Sequence, residues 1–429
     1  MSDHSKRVYD SIVELLSSVE NPTPLVKIRR LSPYRHTTVY AKLEWYNPFG
    51  AVKDRIAAQL LHDAEARGVK LEHLVEPTSG NTGMALAMLA NARELDFTAT
   101  LSMAIPEEKR AALRAFGAKL VELSDDLCPM PGAPEGAMEK ANELAQQPGW
   151  HQLNQYKNPA NPEAHFRTTG PEIWRQTEGK ITHFVAGLGT CGTITGTGRF
   201  LKSQNPAVKV LGVHPSEGHD IPGVRSRRAL KLTDFFLPQE YDGVLEIGND
   251  EAYQMCKRLN QEESLIAGPS SGMALSGAFE MVPDEPGALC VVMFPDSVFK
   301  YISSLRKHLP ELFPAAAAQP AATPEPSVDE VTPAEAIQMI RAGAALVDVR
   351  TPAEFIEGHV EDSVNIPVQS LEAGPVQGLP ADKHAPIVTV CATGRRSLAA
   401  VQALKAQGFT NVSSVRGGLR DWAAEVARR

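Results

Sequence analysis

The sequence predicts an α/β protein of two units with mostly parallel sheets, on three observations. Strand-like apolar runs alternate with helix-length segments, a stretch of mixed Ala and Pro interrupts them, and the alternation then restarts on a smaller scale. The first unit, residues 1–312, carries TVYAKLE at 38–44, HLVEP at 73–77, ATLSMA at 99–104, KLVEL at 119–123, THFVAG at 182–187, KVLGV at 209–213 and LCVVMF at 289–294. Apolar strands separated by helices are the pattern of a parallel sheet covered on both faces. Residues 313–327 read FPAAAAQPAATPEPS, with neither helical nor strand period, and predict an extended, semi-stiff linker. The second unit, residues 328–429, has ALVDVR at 345–350, SVNI at 363–366, PIVTVC at 386–391 and NVSSV at 411–415, a small α/β domain of ordinary size. No internal repeat is visible.

The bulk numbers narrow the function. A chain of 429 residues, 43% hydrophobic and 22% charged, reads as soluble and globular. Lys+Arg 43 against Asp+Glu 51 gives a net charge of −8, which argues against a nucleic-acid surface and leaves small metabolites as the expected partners. The opening MSDHSKRVYDSIVELLSSVE mixes both charge signs without an unbroken apolar segment, so neither a signal peptide nor an anchor is expected. No later stretch reaches the roughly 20 apolar residues of a spanning helix. A cytoplasmic location without membrane contact is the expectation. Cys128, Cys191, Cys256, Cys290 and Cys391 stand singly, with no CxxC pair and no zinc-like spacing, so neither a disulfide framework nor a metal is expected.

Three loops carry the chemistry of the large unit. NPFGAVKDR at 47–55 places Lys53 after a Pro-Gly turn at the opening of a helix. Amide dipoles there disfavour a cation and favour the free amine that a Schiff base needs. Alone, such a lysine reads as a solvated surface residue. EPTSGNTG at 76–83 adds a strand-to-helix loop of small hydroxyl residues and glycines, able to wrap a carboxylate with backbone N–H groups. GLGTCGTITG at 187–196 joins another strand to a helix, where successive amides and the Thr190 and Thr193 hydroxyls suit a phosphate.

In this order the loops resemble the cysteine synthase and cystathionine β-synthase family of fold-type II pyridoxal phosphate (PLP) enzymes. The resemblance covers roughly residues 20 to 308 and includes NPTPL at 21–25, NPANPEAHFRTTGPEIW at 158–174, AGPSSG at 267–272 and PDSVFKY at 295–301. It implies a two-lobed domain with pyridoxal 5'-phosphate as cofactor and a homodimer. By position it implies that Lys53 carries the cofactor, that Asn81 bonds its ring hydroxyl, and that Ser270 faces its pyridine nitrogen. Gly189, Thr190, Cys191, Gly192 and Thr193 then form the phosphate cup, while Thr78, Ser79, Gly80, Thr82 and Gln155 grip the substrate carboxylate. A neutral serine opposite the pyridine nitrogen favours prompt β-elimination over a long-lived carbanion. Lys53, once released by the incoming amino acid, is the base for the α-proton.

Two positions depart from the family pattern. Cys191 stands where many members carry glycine, and reads as a space-filler with nothing nearby to activate it. DSV at 296–298 replaces the frequent DSG or DAG near the floor of the site. A third feature concerns the substrate: GHDIPGVRSRR at 218–228 holds three arginines, and Arg225 resembles the phosphate-contacting arginine of O-phosphoserine sulfhydrylases. A guanidinium fork suits a leaving phosphate. O-Phosphoserine is therefore the expected activated serine, with O-acetylserine next and a solvated basic loop as the alternative.

In the small unit, an apolar strand ends at Cys391 and the chain continues as CATGRRS. Converging amides, a helix N-terminus and the guanidinium groups of Arg395 and Arg396 would favour a thiolate or persulfide there. The spacing resembles the rhodanese family, with VDVRTPAEFIEGHV at 347–360, NIP at 365–367 and RGGLRDW at 416–422 in support. This implies that Cys391 carries sulfur within a loop of Ala392, Thr393, Gly394, Arg395, Arg396 and Ser397. The loop has the short length of sulfurtransferases. Asp348 and Arg350 read as a brace for the loop or as a structural ion pair.

A β-replacement needs a sulfur donor, and the small unit suits its supply from thiosulfate or a persulfide, directly or as sulfide; a sulfur-carrier protein is a further expected partner. The alternatives are a cystathionine synthase or cysteine desulfhydrase coupled to sulfur disposal, and a non-enzymatic sulfur-state sensor.

Overall fold

The computed structural model describes residues 8–103, 105–123, 135–313 and 329–426. Cys128 and nearly all of the Ala/Pro segment lie outside the described residues. The chain divides into two compact units, Met1–Pro314 and Ala315–Arg429.

In the large unit the described strands are β1 (Leu25–Lys27), β2 (Thr38–Leu43), β3 (His73–Pro77), β4 (Asp96–Ser102), β5 (Lys119–Leu123), β6 (Trp150–Gln152), β7 (His183–Gly187), β8 (Lys209–Pro215), β9 (Gly243–Ile247) and β10 (Leu289–Phe294). They form a six-stranded sheet, β1-β2-β10-β7-β8-β9, and a four-stranded sheet, β5-β4-β3-β6. Each sheet is one lobe. All pairings are parallel except β1 with β2. β10 shows why its apolar run is unbroken: Cys290, Val292 and Phe294 enter one core while Val291 and Met293 enter the core on the opposite face. With helices on both sides, neither set of alternating side chains meets water.

The small unit has one parallel sheet of β11 (Glu330–Val331), β12 (Ala345–Asp348), β13 (Val364–Asn365), β14 (Ile387–Val390) and β15 (Val412–Val415), in the order β11-β15-β14-β12-β13. Ile387 and Cys391 face one core, and Val388 and Val390 the other.

Four strands, β1, β6, β9 and β11, are additions to the expected set. Each lies at a sheet edge, and three of them span only two or three residues. No helix among the described residues is long and apolar enough to cross a membrane.

Candidate active site

β3 and β7 both end where a loop turns into a helix, and between the lobes these loops line a cavity of about 660 Å³. Ligands of parallel sheets bind beyond the carboxyl ends of the strands. Lys53, Thr78, Ser79, Gly80, Asn81, Thr82, Gln155, Gly189, Thr190, Cys191, Thr193, Arg225 and Ser270 all line this one cavity. Gly192 lies behind it, packed on Asn161.

Lys53 is the first residue of helix Lys53–Ala66. The Val52 amide donates to the Pro295 carbonyl at 2.9 Å, tying the helix start to the end of β10. Desolvation lowers the Lys53 pKa, with the nearby Asp296 pulling the other way. The helix is anchored by a buried ionic cluster two residues further on. Arg55 pairs with Glu44 at 2.7 Å and Glu172 at 2.5 Å, and Lys42 pairs with Glu172 at 2.7 Å, all at 0–1% side-chain exposure. Two cations meet two carboxylates, so the group is neutral overall.

Asn81 opens helix Asn81–Asn91 and is held from two sides. Its Nδ2 donates to Asp296 Oδ2 at 2.5 Å, and its Oδ1 accepts from Lys300 Nζ at 2.9 Å. The Tyr301 hydroxyl donates to the same Asp296 oxygen, and Lys300 also donates to the Gly50 carbonyl at 3.0 Å. This clamp fixes the orientation of the amide: Nδ2 donates to Asp296 and, at 3.4 Å, to the Tyr301 hydroxyl, and an acceptor in the cavity would compete with that longer second bond. Burial raises the Asp296 pKa and lowers that of Lys300.

The 78–82 loop has donors to spare. Thr78 is engaged, its amide on the Thr100 carbonyl at 3.1 Å and its hydroxyl accepting from the Gly83 amide at 3.0 Å. Among the described residues no acceptor takes up the amides of Ser79, Gly80, Asn81 or Thr82. The Thr82 hydroxyl donates to Gln155 Oε1 at 2.7 Å. Gln155 is held in turn by Glu76, whose carboxylate accepts the Asn154 and Gln155 amides at 2.8 and 2.9 Å; burial raises the Glu76 pKa to about 7.

The 189–193 loop fits a phosphate by the same test. Among the described residues its five amides are bonded to no acceptor. A Cβ on Gly189 would stand 2.5 Å from the Gly223 carbonyl oxygen, and one on Gly192 would stand 1.8 Å from Asn161 Oδ1, so the backbone passes where only glycine can. Asn161 Nδ2 donates to the Thr190 hydroxyl at 3.1 Å, and Thr193 shares a hydrogen bond of 3.1 Å with His165, which burial keeps neutral with a pKa near 3. Cys191 takes the left-handed conformation at φ 65°, which explains the glycine of many relatives. Burial pushes its thiol up to about 12.

Of the three arginines, Arg225 alone lines the cavity, while Arg227 and Arg228 are exposed. The Arg225 Nη2 donates to the Tyr156 hydroxyl at 2.6 Å, with the guanidinium carbon 4.9 Å from that ring's centroid. Among the described residues it meets no carboxylate. Sequence reasoning missed Asp296, Lys300, Tyr301, Glu76, Asn161 and His165 as supports. All six lie within the quoted motifs EPTSGNTG, NPANPEAHFRTTGPEIW and PDSVFKY, which gave their place but not their partners.

In the small unit, Cys391 follows β14 and is 1% exposed. Its Sγ accepts from the Gly394 amide at 3.2 Å and the Ser397 hydroxyl at 3.5 Å. Burial works against the thiolate, but the Ser397 hydroxyl and the Ser397, Thr393 and Gly394 amides outweigh it and lower the pKa. Gly394 at φ 93° turns the chain into helix Arg395–Ala406. The expectation that both arginines face the sulfur needs correction. Arg395 is exposed, and Arg396 forms a two-pronged pair with Glu354, both bonds at 2.7 Å, keeping a secondary interaction with Cys391. A guanidinium fork is better satisfied by a two-pronged carboxylate pair than by a single buried sulfur. Asp348 and Arg350 pair with each other at 2.7 Å, and Arg350 caps the Gly358 carbonyl at 2.6 Å; this brace acts on the segment after β12.

A half-buried lysine at a helix start, sharing a cavity with loops whose amides suit a carboxylate and a phosphate, defines an enzyme class that works through a carbonyl cofactor held as an imine. The family model described as pyridoxal-phosphate dependent enzyme matches residues 16–296, and the chain belongs to that family. Its cofactor is pyridoxal phosphate. The rhodanese-like domain model matches residues 332–425. Cysteine synthase B of Salmonella typhimurium is 41% identical over 284 residues, covering 66% of this chain and 92% of that protein. A cysteine synthase of Staphylococcus aureus is 37% identical over 303 residues, covering 68% and 96%. Among solved structures, O-ureido-L-serine synthase superposes with a TM-score of 0.63 at 35% identity, covering 69% of this chain and 94% of that one. Cysteine synthase of Entamoeba histolytica gives 0.64 at 26% identity, covering 71% and 92%.

Proposed function

We propose that the chain makes L-cysteine by β-replacement on an activated serine, O-phosphoserine by preference and O-acetylserine otherwise, with sulfur supplied as a persulfide on Cys391. In this reading residues 1–312 are the enzyme, 328–429 the sulfur carrier and the Ala/Pro segment a tether, in a cytoplasmic homodimer. Thiosulfate hands its outer sulfur to the Cys391 thiolate and leaves as sulfite, and a small-molecule thiol then reduces the persulfide, releasing sulfide for the β-replacement; free sulfide or a sulfur-carrier protein feeds the large unit without Cys391. The relatives called cysteine synthase support the reaction class. The observation that carries the substrate choice is Arg225, a cavity guanidinium partnered by a phenol and by no carboxylate among the described residues.

Pyridoxal phosphate, when bound, supplies an electron sink that acidifies the substrate α-carbon and lets the β-substituent leave. The chain's own residues do the rest. The free amides of Ser79, Gly80, Asn81 and Thr82, with Gln155 behind them, hold the substrate carboxylate. Lys53 Nζ, kept toward the neutral form by burial, takes the α-proton and returns it once sulfur has added. Ser270 offers the pyridine nitrogen a neutral hydroxyl. Arg225 receives the departing phosphate, and the amides of Gly189 to Thr193 hold the cofactor's own.

Steady-state kinetics on both substrates test this. Arg225→Ala should lower kcat/KM for O-phosphoserine by about 30-fold or more, the worth of a charge-assisted hydrogen bond, with O-acetylserine changed by less than about threefold. Equal losses on both would remove the phosphoserine assignment. Cys391→Ser should abolish cysteine synthesis fed by thiosulfate and spare synthesis fed by sulfide. Survival of the thiosulfate route would end the supply role.

A further inference from the structure

The small unit buries three hydroxyls under the cysteine loop. Thr389 on β14, Ser397 on the first turn of helix Arg395–Ala406 and Ser414 on β15 are each 0% exposed. Their neighbours Val388, Val390 and Val415 are also fully buried, so an apolar side chain is the ordinary choice in these strands. A buried hydroxyl costs free energy unless a hydrogen bond compensates it.

The compensation runs in one direction. Ser414 Oγ lies 2.8 Å from Ser397 Oγ. Ser397 Oγ in turn lies 3.0 Å from the Gly394 carbonyl oxygen and 3.5 Å from Cys391 Sγ. Thr389 donates to the Ser397 carbonyl at 3.0 Å, which holds the turn in place. A hydroxyl has one proton and two lone pairs. If Ser397 donated to Ser414, the Ser414 proton would have no other acceptor among the described residues. Donation from Ser414 to Ser397 leaves no proton stranded, and it leaves Ser397 two acceptors for its own proton: the Gly394 carbonyl and the sulfur.

We propose that Ser414 is a positioning residue for the sulfur-carrying cysteine. It commits its proton to Ser397 and so frees the Ser397 proton to swing from the Gly394 carbonyl to Cys391 Sγ whenever that sulfur bears negative charge as the thiolate. Donation into Ser397 also polarises its O–H and strengthens it as a donor. The assignment rests on the carrier reading of Cys391, because charge on that sulfur is what the relay serves. The relay itself can be measured without turnover.

The experiment is alkylation of the full chain by iodoacetamide across a pH series, with the Cys391 peptide quantified by mass spectrometry. Wild type, Ser397→Ala, Ser414→Ala and Ser414→Thr are compared. The apparent thiol pKa should rise by about one unit in Ser397→Ala and about half a unit in Ser414→Ala, and stay at the wild-type value in Ser414→Thr. A Ser414→Ala profile that superimposes on wild type while Ser397→Ala shifts overturns the proposal, as does the absence of any shift in Ser397→Ala. If Ser414→Ala does not fold, Ser414→Cys, a weaker donor, takes its place and must give a smaller rise in the same direction; no rise overturns the proposal. Failure of the carrier reading would show separately, as no thiosulfate sulfurtransfer by wild type whatever the alkylation profile.

Discussion

Cys191 and Cys391 each follow a parallel strand, precede a helix and are almost wholly buried, at 3% and 1% exposure. Yet burial pushes the Cys191 thiol up to about 12, while Cys391 is lowered. The direction of the hydrogen bonds separates them. Cys191 Sγ donates to the Gly189 carbonyl at 3.9 Å, and the Tyr241 hydroxyl and the charges of Arg225 and Lys53 do not overcome its desolvation. Cys391 Sγ accepts from an amide and a hydroxyl. A helix start thus does not make a reactive cysteine; donors aimed at the sulfur do. In the 189–193 loop no amide is bonded to the thiol or to any other acceptor among the described residues.

The largest effect that could break this contrast is on sulfur transfer from thiosulfate to cyanide. Cys391→Ser should reduce turnover by at least about 1000-fold, as for loss of any covalent nucleophile. Cys191→Ala should leave it within about twofold.

Alkaline stability sharpens the contrast, because the two thiols contribute with opposite sign. A folded pKa raised above the unfolded value near 8.5 gives Cys191 a contribution that is complete below that value and lost as pH climbs toward 12. Calorimetry should therefore show a loss between pH 7 and pH 10 that is smaller by about 1–2 kcal/mol in Cys191→Ala than in wild type, the buried Cys256 and Cys290 thiols contributing equally to both. The lowered Cys391 contributes above its unfolded pKa and loses that contribution as pH falls through its folded value. Cys391→Ala should accordingly weaken the small unit more at pH 9 than at pH 6.

The smallest effect concerns the backbone at position 191. Cys191→Gly relieves a left-handed residue, worth about 1–2 kcal/mol, but loses the buried thiol, so denaturant unfolding should move by less than about 1 kcal/mol. A loss above about 3 kcal/mol would show that the thiol, and not the backbone, decides the residue there.

The strands at 73–77, 119–123 and 289–294 were legible end for end: LCVVMF is apolar throughout because it is buried on both faces, whereas HLVEP and KLVEL show only an apolar centre, the latter being an edge strand with no fully buried residue. β6, three residues of Trp-His-Gln at an edge, has no such signature; its His73–Trp150 ring stack at 3.6 Å forms only after pairing with β3. The site divides in the same way. Glycine loops and Lys53 are local and could be read. The Asp296 clamp on Asn81 joins residues 215 apart, and no pattern in either segment announces the other. The outward turn of Arg395 was hidden because adjacent helical residues point in different directions, and which one meets Glu354 depends on a distant element.

The neutral cluster under helix Lys53–Ala66 bears on biogenesis. Glu172 emerges from the ribosome 117 residues after Arg55. Until it does, Lys42 and Arg55 share the single carboxylate of Glu44, and the helix lacks its second anchor. The anchoring of this helix is therefore a late event in synthesis, complete only once Glu172 joins the cluster.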